Sequence, residues 1–410
     1  MQFSDFPIHT TILKALTESK YHTATPVQQE VIPLVIDKKD VVVTAQTGTG
    51  KTAAFALPII QGLLEEQDAE KGGKKIKALI ITPTRELTIQ IHESFNIYSK
   101  YTNLRSTAVY GGMPTAPQKD VLNKGVDILI ATPGRLIDLH KQSAIDLRLL
   151  KTLVLDEADL MLDMGFIDDV KRIEELCPRK KQTLLFSATM PEKITELANS
   201  MLYKSKKVII APSGSTSKNI GQLLYYVPKK NKTDLCLHLL RNTINGKIII
   251  FRRTKIGVDK LEQTLVKNNY KVTSLHGDKT QALRNKAIEG FKEKKATILI
   301  ATDVAARGID ISKVDAVINF DLPNIPETYV HRIGRTGRAG KSGIAFSLCS
   351  ADETSYIKAI QEVLKRSITV IEDHPFPLVK PKHIKQPNTI SKNKKGRKST
   401  NSKKNKKRWY

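Results

Sequence analysis

Short runs of Val, Ile, Leu and Ala recur along the chain, separated by longer segments in which apolar residues return every three or four positions. In the first half the runs are Val41–Thr44, Ala78–Thr82, Asp127–Ala131, Leu153–Leu155 and Thr183–Phe186. In the second half they are Lys247–Phe251, Val272–Leu275, Thr297–Ala301, Ala316–Phe320 and Gly343–Leu348. Runs this short, without alternation, predict strands buried on both faces, and the amphipathic stretches between them predict covering helices. Strand and helix in alternation predict an α/β fold built on mostly parallel sheets.

The pattern lapses twice. Ala211-Pro-Ser-Gly-Ser-Thr-Ser-Lys218 is small and polar and reads as a linker, assigned to 211–220, between domains at 1–210 and 221–373. From His374 to Tyr410 apolar periodicity is lost, which predicts a disordered, low-complexity tail. Ile128–Thr132 and Ile298–Thr302 carry one pentapeptide, Ile-Leu-Ile-Ala-Thr. The repeat fits two related halves, or merely a common buried-strand sequence.

Charge sharpens the picture. Lys and Arg number 67 against 41 Asp and Glu in 410 residues, a net charge of +26. Residues 374–410 hold thirteen of the basic residues and no acid, so nucleic acid is the leading class of partner. Cys177, Cys236 and Cys349 are isolated, with no CxxC pair, and signal neither a disulfide framework nor a zinc site. The N-terminal segment lacks a basic stretch followed by an apolar one, so no secretory signal is expected. No apolar run approaches the roughly 18 residues of a membrane span. A soluble protein of a reducing compartment, without a membrane partner, is expected.

Chemistry enters after the first strand. Ala45, Gln46, Thr47, Gly48, Thr49, Gly50, Lys51 and Thr52 lie between Val41–Thr44 and a helical pattern. Glycines there let backbone N–H groups converge on phosphates, Lys51 reaches their oxygens and Thr52 ligates Mg²⁺. The strict pattern has Gly where Ala45 stands. Asp156 and Glu157 follow the strand Leu153–Leu155 in Asp-Glu-Ala-Asp. Hydrolysis of a nucleoside triphosphate needs one carboxylate for Mg²⁺, which suits Asp156, and one group to orient or deprotonate water, which suits Glu157.

With these two motifs in this order, the chain resembles the DEAD-box ATP-dependent RNA helicases from about residue 3 to residue 350. Further matches are Thr25-Pro-Val-Gln28, Pro83-Thr-Arg-Glu-Leu87, Gly111-Gly112, Thr132-Pro-Gly-Arg135, Ser187-Ala-Thr189, Ala301–Asp310 and His331–Arg338. The resemblance implies two RecA-like domains, with ATP, Mg²⁺ and RNA bound between them. It gives Tyr21 a stacking face and Gln28 an amide for adenine, although many relatives carry Phe at Tyr21. Phe3 is either a further aromatic of that motif or a staple of the N-terminus. Gly308 and Asp310 match the ribose side of the nucleotide site, and Arg335 and Arg338 match arginine fingers.

The same resemblance assigns the RNA sugar-phosphate chain to Thr84, Arg85, Gly111, Gly112, Thr132 and Arg135. Arg252, Gly277, Gln281, Arg284 and Thr302 are the counterparts in the second domain. Groups of this kind hold a strand without reading its bases. Ser187 and Thr189 match residues that couple hydrolysis to unwinding, or else satisfy strand-end backbone. Short flanks and a basic tail are most similar to the bacterial RhlE-type subgroup, which implies cytoplasmic location and ribosomal or other ribonucleoprotein partners. An ATP-gated RNA clamp and a DNA translocase are the rival functions.

The tail generates the first prediction. A flexible cationic segment binds phosphates through counterion release, about 0.7 ion per neutralised phosphate on a single strand. Deleting it should weaken RNA binding and flatten its salt dependence, with turnover at saturating RNA nearly unchanged. An unaltered salt slope in a binding titration would show that the tail does not hold RNA.

Overall fold

The structure, a computed structural model, describes residues 1–46, 48–67, 75–210, 220–306, 311, 314–337 and 343–378. Thr47, Gly308, Asp310, Arg338, linker residues 211–219 and the tail from residue 379 lie outside the described residues.

The first sheet contains β1 (Val41–Thr44), β2 (Ala78–Ile81), β3 (Ser106–Val109), β4 (Ile128–Ala131), β5 (Thr152–Leu155), β6 (Gln182–Ser187) and β7 (Lys206–Ile209). The second contains β8 (Ile220–Tyr226), β9 (Ile248–Phe251), β10 (Val272–Leu275), β11 (Ile298–Ala301), β12 (Ala316–Asn319), β13 (Gly343–Cys349) and β14 (Thr369–Val370). Their orders are β3-β4-β2-β5-β6-β1-β7 and β10-β11-β9-β12-β13-β8-β14. All pairings are parallel. The chain is therefore α/β, two RecA-like units of matched topology, as expected. β4 and β11, which carry the repeated pentapeptide, occupy equivalent positions, second from an edge.

All ten strands read from the sequence are present, within one residue at most ends. Four were not foreseen: β3, β7, β8 and β14. β3 and β7 are the edges of the first sheet and β14 is an edge of the second. An edge strand buries less, so its apolar signal is weak, and β7 exposes Lys206 and Lys207. β8 begins at Ile220, inside the assigned linker, and its Gly221 and Gln222 interrupt the apolar run.

The tail begins later than expected. Leu378 N–H donates to Tyr226 O at 3.0 Å, His374 packs edge-on against Tyr225 at 5.5 Å, and Phe376 rests on the core of the second unit. Residues 374–378 are thus part of that unit. Every basic residue of the tail follows them, so the truncation above belongs after Leu378.

Apolar clusters lie on both faces of each sheet. Val43, Ile80, Val154 and Phe186 point to one side of the first sheet and Val42, Leu79, Leu153 and Leu185 to the other. Among the described residues no helix is long and apolar enough to cross a membrane.

A polar cluster is buried in the second unit, beneath the ends of β9, β12 and β13. Lys232 Nζ donates to Glu353 Oε2 at 2.5 Å and to Phe320 O at 2.8 Å. Glu353 also accepts from Leu322 N–H at 3.1 Å and Arg253 Nη2 at 3.2 Å. Removing one partner of a buried pair strands the other charge, at a cost of about 3–5 kcal/mol. Glu353→Ala should therefore lower the unfolding free energy of the second unit by an amount of that order, measured by urea titration of the full chain.

Candidate nucleotide and RNA sites

Apart from Tyr21 and Gln28, which precede β1, the candidate residues follow the carboxyl ends of strands. Strand order therefore sorts them. β5, β6 and β1 are neighbours, which gathers Asp156–Asp159, Ser187–Thr189 and the loop at Ala45–Thr52. β3, β4 and β2 are neighbours too, which gathers Gly111 and Gly112, Thr132 and Arg135, and Thr84 and Arg85.

In the first group, Ala45 N–H donates to Ser187 O at 3.0 Å and ties the loop to β6. Gly48 and Gly50 have φ of 87° and 96°, a turn that residues with a Cβ resist. The turn ends at the helix Lys51–Gln67, where Lys51 is buried. Its Nζ donates to Ala45 O at 3.1 Å and Glu157 Oε1 at 2.9 Å. Glu157 itself has left-handed φ of 55°, a strain that only a well-packed surrounding sustains.

Charge is concentrated here. Burial raises the Asp156 carboxyl to about 7, with Glu157 adding to the rise and Lys51 opposing it. Burial works against the Lys51 cation, but Glu157 and Asp156 outweigh it and raise its pKa. The pocket thus holds a cation beside two carboxylates, one of them poorly compensated. Those donors suit a divalent cation with a polyphosphate.

Asp159 is the residue that sequence reading passed over. Its Oδ2 accepts from Thr189 N–H at 2.9 Å and Thr189 Oγ1 at 3.0 Å, while its own N–H donates to Ser187 Oγ at 3.1 Å. Ser187 Oγ donates on to Thr189 O at 2.7 Å. These hydroxyls connect β6 to the turn that carries Glu157, beyond satisfying strand-end backbone. The fourth residue of Asp-Glu-Ala-Asp was the available signal.

The residues expected to meet adenine are close by. Gln28, fully buried on the helix Pro26–Ile36, donates to Gly50 O at 3.0 Å and Tyr21 Oη at 2.8 Å and accepts from Thr25 N–H at 2.8 Å. Phe3 is buried with its ring centroid 5.1 Å from that of Tyr21. It backs the Tyr21 ring, which favours the staple.

In the second group, Thr84 caps the helix Arg85–Tyr98 by accepting from Leu87 N–H at 3.3 Å. Arg85 lies against Gly112, whose φ is 78°, and a Cβ there would collide with the guanidinium. Arg135 Nη2 donates to Met113 O at 2.9 Å, and its buried Nη1 has no partner.

In the second unit, β10, β11 and β9 present Gly277, Thr302 and Arg252 in the same way. Gln281 begins the helix Gln281–Lys292 and keeps a buried Oε1 without a partner. Arg252 is more constrained than expected of a strand-holding residue. Its Nε donates to Asp321 Oδ2 at 2.9 Å and its guanidinium covers Phe320 at 4.0 Å. Burial alone would raise the Asp321 carboxyl, but Arg252, the Arg253 N–H and Lys232 hold it below the usual range.

Arg335 is buried just beyond the helix Pro326–Ile333. In that helix Arg332 donates to both oxygens of Asp303 at 2.6 and 2.7 Å, fixing it to the segment after Thr302.

Among the described residues, a buried bond joins the two units. Arg284 Nε donates to Glu86 Oε1 at 2.6 Å, with side chains 8% and 6% exposed, so water does not screen it. Sequence reading had named Arg284 but not Glu86, next to Arg85.

A phosphate loop and paired carboxylates on one parallel sheet, mated to a second sheet of like topology, define a nucleoside triphosphate hydrolase of the two-domain helicase class. Residues 25–197 match the DEAD/DEAH box helicase model and residues 231–340 the helicase conserved C-terminal domain. The chain is 44% identical to the DEAD-box ATP-dependent RNA helicase RhpA of Helicobacter pylori over 90% of this chain and 74% of that one. It is 42% identical to the ATP-dependent RNA helicase RhlB of Shewanella sediminis over 94% and 92% of the two chains. S. cerevisiae Dbp5 bound to RNA and ADP BeF3 superposes with a TM-score of 0.79 at 30% identity, covering 90% of this chain and 95% of that one. This chain belongs to the DEAD-box ATP-dependent RNA helicase family.

The inter-unit bond generates a prediction. Glu86→Gln and Arg284→Gln should each disfavour closure of the two units on nucleotide and RNA. A Glu86→Arg, Arg284→Glu exchange should restore part of it, with a coupling energy of about 1–3 kcal/mol. Energy transfer between dyes on the two units measures this. Additive losses would show that the bond does not couple them.

Proposed function

We propose that this enzyme hydrolyses ATP in the pocket of Lys51, Thr52, Asp156 and Glu157 while both units hold one RNA strand. The buried Glu86–Arg284 bond carries the reading, because it abuts the RNA-facing ends of the two sheets. Lys51 neutralises the phosphates, and Glu157 orients the attacking water and takes its proton. Arg335 and Arg338 reach the phosphates from the second unit as it closes, and Gly308 and Asp310 contact the ribose. Thr52 and Asp156 would hold Mg²⁺, which supplies charge neutralisation on the phosphates when bound.

RNA lies along Thr84, Arg85, Gly111, Gly112, Thr132 and Arg135, then Gln281, Gly277, Thr302 and the Arg252 loop, while Arg284, expected to hold RNA, is taken up by Glu86. The contacts are to sugar and phosphate, so binding is independent of sequence. Bending one strand in the closed cleft parts a short duplex or displaces a bound protein, and hydrolysis reopens it. Work of this kind fits a cytoplasmic enzyme acting on ribosomal or other ribonucleoprotein RNA. The basic tail supports the RhlE-type placement, and the chain divides into a first unit that runs to Ile210 and a second that runs from Ile220 to Leu378.

Glu157→Gln tests the chemistry. It should bind ATP and RNA normally, yet lower RNA-stimulated turnover by roughly 10²-fold or more, the scale of a lost general base. A strand-displacement assay on matched duplexes should show the wild type parting RNA and not DNA, and the variant parting neither over repeated cycles. Rapid turnover by Glu157→Gln would refute the assignment.

A further inference from the structure

Gln28 has two amide hydrogens, and both are spent within the protein. Its orientation is unambiguous: Thr25 N–H can only donate to Oε1, and Gly50 O can only accept from Nε2. The remaining Nε2 hydrogen goes to Tyr21 Oη at 2.8 Å. An amide reads the N6/N7 edge of adenine with its oxygen accepting from N6–H and one N–H donating to N7. Oε1 has a second lone pair available for the first bond. For the second, no hydrogen is free. One of the two existing bonds must be exchanged.

The choice between them is decided by what each holds. Gly50 O is backbone of the phosphate loop and also accepts from Ala54 N–H at 3.3 Å in the first turn of the helix Lys51–Gln67. Gly50 and Gln28 are in such close contact that a Cβ on Gly50 would collide with Nε2. That bond locks the loop to the helix Pro26–Ile36. Tyr21 Oη sits on a half-buried side chain whose hydroxyl can turn to water.

We infer that the Tyr21 hydroxyl is a place-holder for adenine N7, occupying the reading hydrogen of Gln28 in the empty site and handing it over when adenine stacks on the ring. The inference rests on Gln28 as the adenine-contacting amide. It makes the Tyr21 hydroxyl, rather than its ring, a determinant of nucleotide affinity. With Gln28 fully buried, an N–H lacking this partner would be left unsatisfied in the empty site, which is costly. The hydroxyl removes that cost and thereby stabilises the empty state. Binding of adenine then exchanges one hydrogen bond for another. Where the ring bears no hydroxyl, adenine would supply a bond that was missing.

Tyr21→Phe keeps the ring and its packing on Phe3 and deletes the oxygen alone. Isothermal titration of the full chain with ADP and with 7-deaza-ADP, which has a C–H in place of N7, isolates the effect. ADP should bind the variant about two- to tenfold more tightly than it binds the wild type, the range for one net hydrogen bond. Binding of 7-deaza-ADP should not change, because the Gln28 hydrogen stays with Tyr21 in the wild type and stays unsatisfied in the variant. Discrimination between the two nucleotides should accordingly widen. Equal changes for both nucleotides, or weaker ADP binding by the variant, would overturn the place-holder. Failure of the wild type to bind ADP would instead overturn the nucleotide site, and this inference with it.

Discussion

Strand order in two parallel sheets is the constraint on which everything else depends. In a parallel sheet all carboxyl ends emerge on one edge, so residues distant in sequence converge wherever their strands are neighbours. Here β5-β6-β1 assembles the phosphate loop with the acidic turn, and β3-β4-β2 assembles a row of hydroxyls, glycines and arginines. One sheet thus offers two sites that share its rigid core. The second sheet repeats the order, and its β10-β11-β9 edge continues the row.

Within the nucleotide group run short polar connections. Ser187 and Thr189 both engage Asp159, two residues from Glu157, and Ala45 hangs from Ser187 O. A displacement of β6 therefore reaches the loop and the carboxylates together. Glu86–Arg284 makes the corresponding link between units. Both links use buried polar groups that have two options, partner or no partner. Such groups favour discrete arrangements over gradual ones.

The buried Lys51–Glu157 pair has a related meaning. Each carries charge that burial would penalise, and each is compensated by the other. Phosphate and a cation would exchange for these partners, so the site is prepared for its ligands by being satisfied without them. Gln28, Tyr21 and Gly50 show the same economy with neutral groups. Rigidity within the second unit has another source, the Lys232–Glu353 cluster that anchors the loops after β9 and β12.

Much was legible in the amino-acid order because it is set locally. Apolar runs announced ten strands, nine of them interior to their sheets, and Gly-Lys-Thr beside a strand announced a phosphate loop. The edge strands β3, β7 and β14 stayed hidden because they bury too little to leave a continuous apolar run. Asp159, Glu86 and Arg332 lie within the motifs, but nothing in the sequence shows what they pair with. Their roles come from partners up to 198 positions away, brought near by sheet order and by the apposition of two units. Arg252, which the resemblance assigns to the RNA chain, is drawn onto Asp321 and Phe320 for the same reason. Sequence alone determined the class of fold, the motifs and the chemistry available, since residue type and short spacing decide these. Tertiary structure alone decided which groups are paired and which keep an open valence, since pairing depends on distances that only packing sets.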